Sequence, residues 1–225
     1  MSERILPLFP LQIVQFPSVL TPLHIFEARY RQMLKDALAG DKSFGLLAVL
    51  DDAVGRPLLG SIGCAVEVVV AQELPDGRAN ILCVGAQRFR LIDYVEGEAY
   101  LQGRVEFFED DTAFDDFSEE IATAKTLFER TLKAARKLRE NEREEEAPEL
   151  PEDAQELSFT LAAYLDLSLA EKQELLELTD TGERLRRVIN ALREIAEDYE
   201  RRARARKVSK SNGHGGKLPN FDSAD

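Results

Sequence analysis

Hydrophobic positions follow a short period over roughly the first 110 residues and a longer one thereafter. Residues 5–11 and 13–16 are brief apolar runs punctuated by Pro7, Pro10 and Pro17. Proline cannot donate to a β-ladder, so such runs read as edge or rim strands. Phe26, Tyr30, Met33, Leu34, Ala37 and Leu38 then recur at helical spacing, which predicts one amphipathic helix over 25–39, ended by Gly40 and Asp41. Residues 44–50 form a continuous apolar run, followed by a turn at 51–56. Residues 58–71 read as a further strand, largely buried, in which Gly60 and Gly63 mark bulges or close backbone approach. Pro75, Asp76 and Gly77 supply a preset φ, a self-bonding side chain and tolerance of positive φ, so they turn a hairpin between 66–74 and 79–84. Alternation over 87–94 and 100–108 adds two more strands.

From Asp115 the period changes. Phe117, Ile121, Ala124, Phe128, Leu132, Ala135 and Leu138 fall three or four residues apart, as on a helix face. Residues 139–153 are acidic, carry two prolines and read as a solvated linker. Leu157, Leu161 and Leu165 mark the next helix. Ser168 with Glu171, and Asp180 with Glu183, have the spacing of capping boxes that open two more helices, one through Leu178 and one through about Arg204. The expected class is therefore α+β: a small β-barrel-like subdomain with one inserted helix over 1–112, then a helical bundle over 113–206. Residues 207–225 are polar and read as a disordered tail.

Composition narrows the function. The chain has 225 residues and a net charge of −13, which disfavours nucleic acid as a partner. The charge is uneven: 106–120 and 140–156 are acidic, whereas 201–217 is basic. No apolar run reaches the roughly 18–20 residues of a membrane span, and the prolines near the N-terminus interrupt any signal-peptide core, so the expected location is the cytoplasm. Cys64 and Cys83 are the two cysteines and lie in apolar strands, where buried free thiols are expected. With His24 and His214 they make no zinc-site spacing, and no metal or cofactor is expected. No phosphate-binding glycine loop and no G-x-S-x-G elbow occurs, so no catalytic residue is assigned. The acidic pairs at 51–52, 110–111 and 115–116 read as solvated turn residues or as helix N-terminal charges that favour the dipole.

Several segments together carry a family likeness. Leu6-Pro7-Leu8-Phe9-Pro10-Leu11, Phe16-Pro17 and Leu20 through Tyr30 come first. Gly60 to Gly63, Leu74 to Gly77 and Val84 to Leu91 follow in order, then Leu157 to Leu176 and Thr181 to Leu185. The ordered set, over roughly 4–200, resembles the N-terminal substrate-binding domain of Lon-type proteases in a stand-alone version without ATPase or protease domains. The resemblance implies a pseudo-barrel followed by a helical bundle, and a non-catalytic module that binds unfolded or client polypeptides. Such binding would use an apolar groove with a charged rim, for which Leu23, Phe26, Glu27, Arg29 and Tyr30 are the candidate residues. The alternative is a scaffold that docks an acidic partner through the basic stretch at 201–217.

Overall fold

The computed structural model describes residues 3–50, 56–111, 116–139 and 148–212. Among these residues, six strands come first: β1 (Glu3–Leu11), β2 (Leu20–Ile25), β3 (Ser43–Ala48), β4 (Ile62–Glu73), β5 (Ala79–Val95) and β6 (Gln102–Phe107), with α1 (Ala28–Ala39) between β2 and β3. α2 (Ser118–Arg139), α3 (Ala154–Tyr164), α4 (Leu169–Glu177) and α5 (Thr181–Asn212) follow. The sheet runs β2-β5-β4-β3-β1-β6, and a further β5–β6 pairing closes five of the strands into a ring. β1 and β3 are parallel; the other pairs are antiparallel. This α+β arrangement is the one expected, with a closed ring where a barrel-like unit was anticipated.

β5 makes closure possible. Its 17 residues form one continuous strand where the hydrophobic pattern suggested two, because the polar break around Gly85 stays within the strand and is not a turn. β5 pairs with β2 over its first half, with β4 from Ala79 to Arg90 and with β6 from Phe89 to Val95. At Gly85 the chain crosses the strand so closely that a Cβ would collide with the Phe16 carbonyl, so only glycine fits. The run at 13–16 is not a strand. Gln15 is buried and its amide donates to the carbonyls of Phe16 (2.9 Å) and Val19 (2.8 Å), folding a turn that leads into β2 instead. Pro22 sits inside β2, which is tolerated because β2 has a single strand neighbour among the described residues. The helix begins at Ala28, three residues later than the periodicity suggested, since Ile25 ends β2 and Glu27 takes the extended N-cap conformation.

The hairpin turn behaves as read: Gly77 has φ +79°, and Asp76 accepts from the Arg78 amide at 3.1 Å. Gly63 is a close approach, where a Cβ would meet the Leu46 carbonyl and the Phe89 ring. In the helical half, Ser168 and Glu171 form the reciprocal capping box, and Asp180 caps α5 by accepting from Glu183 N at 2.8 Å. α5 continues to Asn212, so residues 207–212 are helical and not part of a disordered tail; a run rich in Arg, Lys and Ala favours continuation. The tail beyond 212, with His214, lies outside the described residues, as do linker residues 140–147. The linker's described end is tied down, with Leu150 against the bundle core and Asp153 capping α3.

Among the described residues, three apolar clusters hold the fold. Leu6, Leu8, Leu47, Phe89, Leu91 and Val105 fill the ring. Phe9, Ile25, Ile81 and Val66 pack with Tyr30, Met33 and Leu34 of α1. The bundle core around Leu157, Leu161, Val188 and Leu192 also takes Phe16 and Ile62 from the β half. Cys64 and Cys83 are buried and free, and burial pushes each thiol up to about 12. They oppose Arg88 and Val68 in the ladder and not each other, which leaves no cross-strand disulfide geometry. No described helix is long and apolar enough to cross a membrane.

Candidate functional site

The outer face of β2, β5 and β4 is built by register. Pro22 stands opposite Leu82, which stands opposite Val70, so the three form a row across three strands. One step along, Leu20, Val84 and Glu67 form a second row; one step the other way, His24, Asn80 and Gln72 form a polar third. Leu20 is 57% exposed and Val70 53%, while Leu82 and Val84 are half-buried. A β-bulge between Val68 and Val70 adds one residue to β4 and turns both Val69 and Val70 outward. The strand read from its valines as largely buried is thus buried only up to Val68. Isolated exposed apolar side chains are ordinary on a protein surface, but these are contiguous across three strands.

The residues singled out from the sequence distribute around this face. Phe26, just past the end of β2, is 59% exposed and stacks on His24 with ring centroids 6.0 Å apart. His24 Nδ1 lies 2.7 Å from Asn80 Oδ1, which fixes the imidazole along the polar row. Glu27 and Arg29 are exposed enough to meet a partner and pair with each other at 3.0 Å. Arg29 also covers the Tyr30 ring at 4.5 Å. Tyr30 itself is buried against Phe9, with centroids 4.1 Å apart, and its hydroxyl is pushed up mainly by desolvation. Leu23 is half-buried and packs into the α1 cluster. Phe26, Glu27 and Arg29 therefore reach the surface, whereas Leu23 and Tyr30 support it from within. Leu20, Pro22, Val70 and Leu82 were missed; the register that aligns them spans some 60 positions and leaves no local periodicity to find.

Where the sheet meets the bundle, charge is buried. Arg88 and Arg184, 2% and 0% exposed, both bond Asp110, and Thr181 Oγ1 donates to the same carboxylate. Arg88 also donates to the carbonyls of Leu176 (2.8 Å) and Leu178, and Arg184 to Leu178 (2.8 Å) and Ser158 Oγ (2.8 Å). Those two carbonyls close the C-terminus of α4, whose partial negative charge suits a surplus cation. The Arg184 guanidinium stacks on Phe159 at 3.9 Å. Desolvation holds Arg88 below the ordinary arginine range, opposed by Asp110. Asp110 is thus no solvated turn residue. Its neighbour Asp111 accepts from Thr179 Oγ1 at 2.8 Å, and Asp116 accepts from the Ser118 amide at 3.0 Å, as a helix-start charge should. Asp51, Asp52 and Asp115 lie outside the described residues. Among the described residues, no group of three potential ligands clusters to hold a metal.

Comparison with known proteins agrees with this architecture. The family model of the ATP-dependent protease La (LON) substrate-binding domain matches residues 5–194. The Lon protease of Solibacter usitatus is 31% identical over 193 residues, and that of Escherichia coli K12 is 29% identical over 197. The matches cover 83% and 82% of this chain, which spans about a quarter of the length of these curated relatives, 24% in each case. A crystal structure of a Lon N-terminal domain protein from Xanthomonas campestris is similar with a TM-score of 0.63 at 26% identity, over 83% of this chain and 98% of that one. The N-terminal domain of Mycobacterium avium complex Lon protease shares the fold, with a TM-score of 0.63 at 21% identity over 84% of this chain and 98% of that one. The matched segment takes in both the outer sheet face and the buried arginine cluster. The chain belongs to the LON substrate-binding domain family.

Proposed function

We propose that this chain is a non-catalytic recognition module that binds unfolded or client polypeptides on the outer face of β2, β5 and β4. The carrying observation is the apolar pair of rows, Leu20–Val84 and Pro22–Leu82–Val70, exposed beside an edge strand and rimmed by Glu67, His24 and Asn80. An apolar centre with a polar rim is the anatomy of a protein-binding surface. Among the described residues no strand pairs with the outer edge of β2, which lets an extended segment lie alongside it, as strand addition requires, and Pro22 limits how far such pairing runs. Phe26, with Glu27 and Arg29, extends the face at one end. In this reading the sheet half does the recognising and the helical half holds its shape.

The test uses the full chain and a carboxymethylated, permanently unfolded polypeptide as probe. Binding is expected in the micromolar range, and Leu20→Ser combined with Val70→Ser should weaken it at least tenfold with the thermal midpoint nearly unchanged. Equal binding by the wild type and this double variant would remove the sheet face as the site. No binding by the wild type would remove the reading itself.

A further inference from the structure

The basic stretch near the C-terminus takes no part in that surface, yet the fold gives it a partner. A groove of about 810 Å³ lies between α2 and α5, on the side of their C-terminal halves. The two helices run in the same direction there: Arg130 pairs with Glu200, and Arg206 donates to the Leu138 carbonyl near the end of α2. Residues 130–139 carry five Lys or Arg and no acidic residue, and residues 201–206 carry four Arg and none. Packing thus joins two cationic runs some 70 positions apart, in a chain whose net charge is −13. Among the described residues, five cations line the groove against two carboxylates, Glu129 and Glu200. Its floor is short: Ala134 is buried and Ala203 half-buried, which leaves a furrow between the charged walls.

Helix dipoles account for only part of this. Cations near a helix C-terminus are favoured, but the effect fades within about one turn. Lys133 lies six residues before the end of α2, and Arg204 lies eight before the end of α5, both beyond a 3.6-residue turn. Glu200 answers Arg130 in a bidentate pair (2.6 and 2.9 Å), and Arg130 holds its carboxyl below the usual range. Arg204 also lies 3.6 Å from Glu200 and Lys133 3.7 Å from Glu129, so two carboxylates are shared among five cations and the described lining keeps a net positive balance.

We propose that this groove docks a short acidic segment of another polypeptide. Lys133 and Lys137 stand one turn apart on α2, about 6 Å between their Cβ atoms, and Arg204 faces them from α5. Carboxylates at matching spacing on an incoming segment meet all three. A groove of this size takes a few residues of peptide, whereas a nucleic-acid duplex would carry its phosphates over the acidic remainder of the surface. Exposed ion pairs are individually weak, so the binding is cumulative and sensitive to salt.

The experiment is fluorescence anisotropy with the full chain and a labelled ten-residue oligoglutamate peptide. Binding is expected at low salt and should weaken at least tenfold at about 0.5 M salt, where the screening length falls to a few ångströms. Lys133→Glu with Lys137→Glu should also cost at least tenfold, while Arg31→Glu with Lys35→Glu on α1, both exposed and outside the sheet face, should leave affinity unchanged. Absence of binding at low salt, an equal loss from the α1 pair, or tighter binding of a single-stranded oligonucleotide of equal charge would each overturn the proposal.

Discussion

At Asp110 one carboxylate answers two buried guanidiniums, so the cluster with Arg88 and Arg184 carries a net positive charge. The carbonyls at the end of α4, Ser158 Oγ and the ring faces of Phe108 and Phe159 offset the remainder. Removing the carboxylate leaves two like charges buried side by side. Breaking a buried pair in this way typically costs about 3–5 kcal/mol, a large share of the ~5–15 kcal/mol that stabilises a domain. Asp110→Asn is therefore expected to lower the urea midpoint severely, and a loss below about 1 kcal/mol would show that the cluster does not anchor the junction. None of this was legible in the sequence. Arg88 and Arg184 lie in segments that carry the family likeness, but Asp110 reads locally as one of two turn aspartates. The bonds that bury it join residues 22 and 74 positions apart, beyond any local pattern.

Among the elements, α4 is short enough that its cap matters. Nine residues give few internal bonds, and the Ser168–Glu171 box satisfies two of the donors that a helix start leaves open. Ser168→Ala should cost about 0.5–2 kcal/mol. It should also loosen the Leu176 and Leu178 carbonyls that hold Arg88 and Arg184, because the same nine residues present both ends. The box gives this contribution a pH dependence. Bonding to Ser168 lowers the Glu171 carboxyl below its ordinary value, so the stabilisation is present above the unfolded-state pKa and is lost as pH falls through the folded one. A thermal midpoint followed through the acidic carboxylate range should fall in the wild type, and the fall should be smaller in Ser168→Ala. This cap was legible because its signal is local: two side chains three residues apart. The helices and the Pro75–Gly77 turn were legible for the same reason. The β half was less so. β2 was missed because a proline at its centre argues against a strand unless the strand is known to lie at an edge, and that is a property of the whole sheet. β5 was divided at Gly85 because a glycine forced by a crossing chain looks the same as one that ends a strand.

Across the whole molecule, two surfaces of opposite character sit on separate parts of the fold. The sheet face is apolar and belongs to β2, β5 and β4; the groove is cationic and belongs to α2 and α5. Burial of apolar area does not weaken with screening, whereas attraction between exposed charges does. Raising salt from about 0.05 to 0.5 M should therefore leave the unfolded polypeptide bound to the sheet face about as tightly, or slightly more so, while releasing oligoglutamate from the groove. The two sites share no side chain, and contributions from distant sites without common partners add. Saturating one should shift the affinity of the other by less than about twofold, or about 0.4 kcal/mol. Competition anisotropy with two differently labelled probes measures both quantities in one series. Mutual displacement would mean that both ligands occupy one surface, and parallel salt curves would mean that charge governs both. Independent occupancy with opposed salt responses is the outcome that this arrangement of strands and helices predicts.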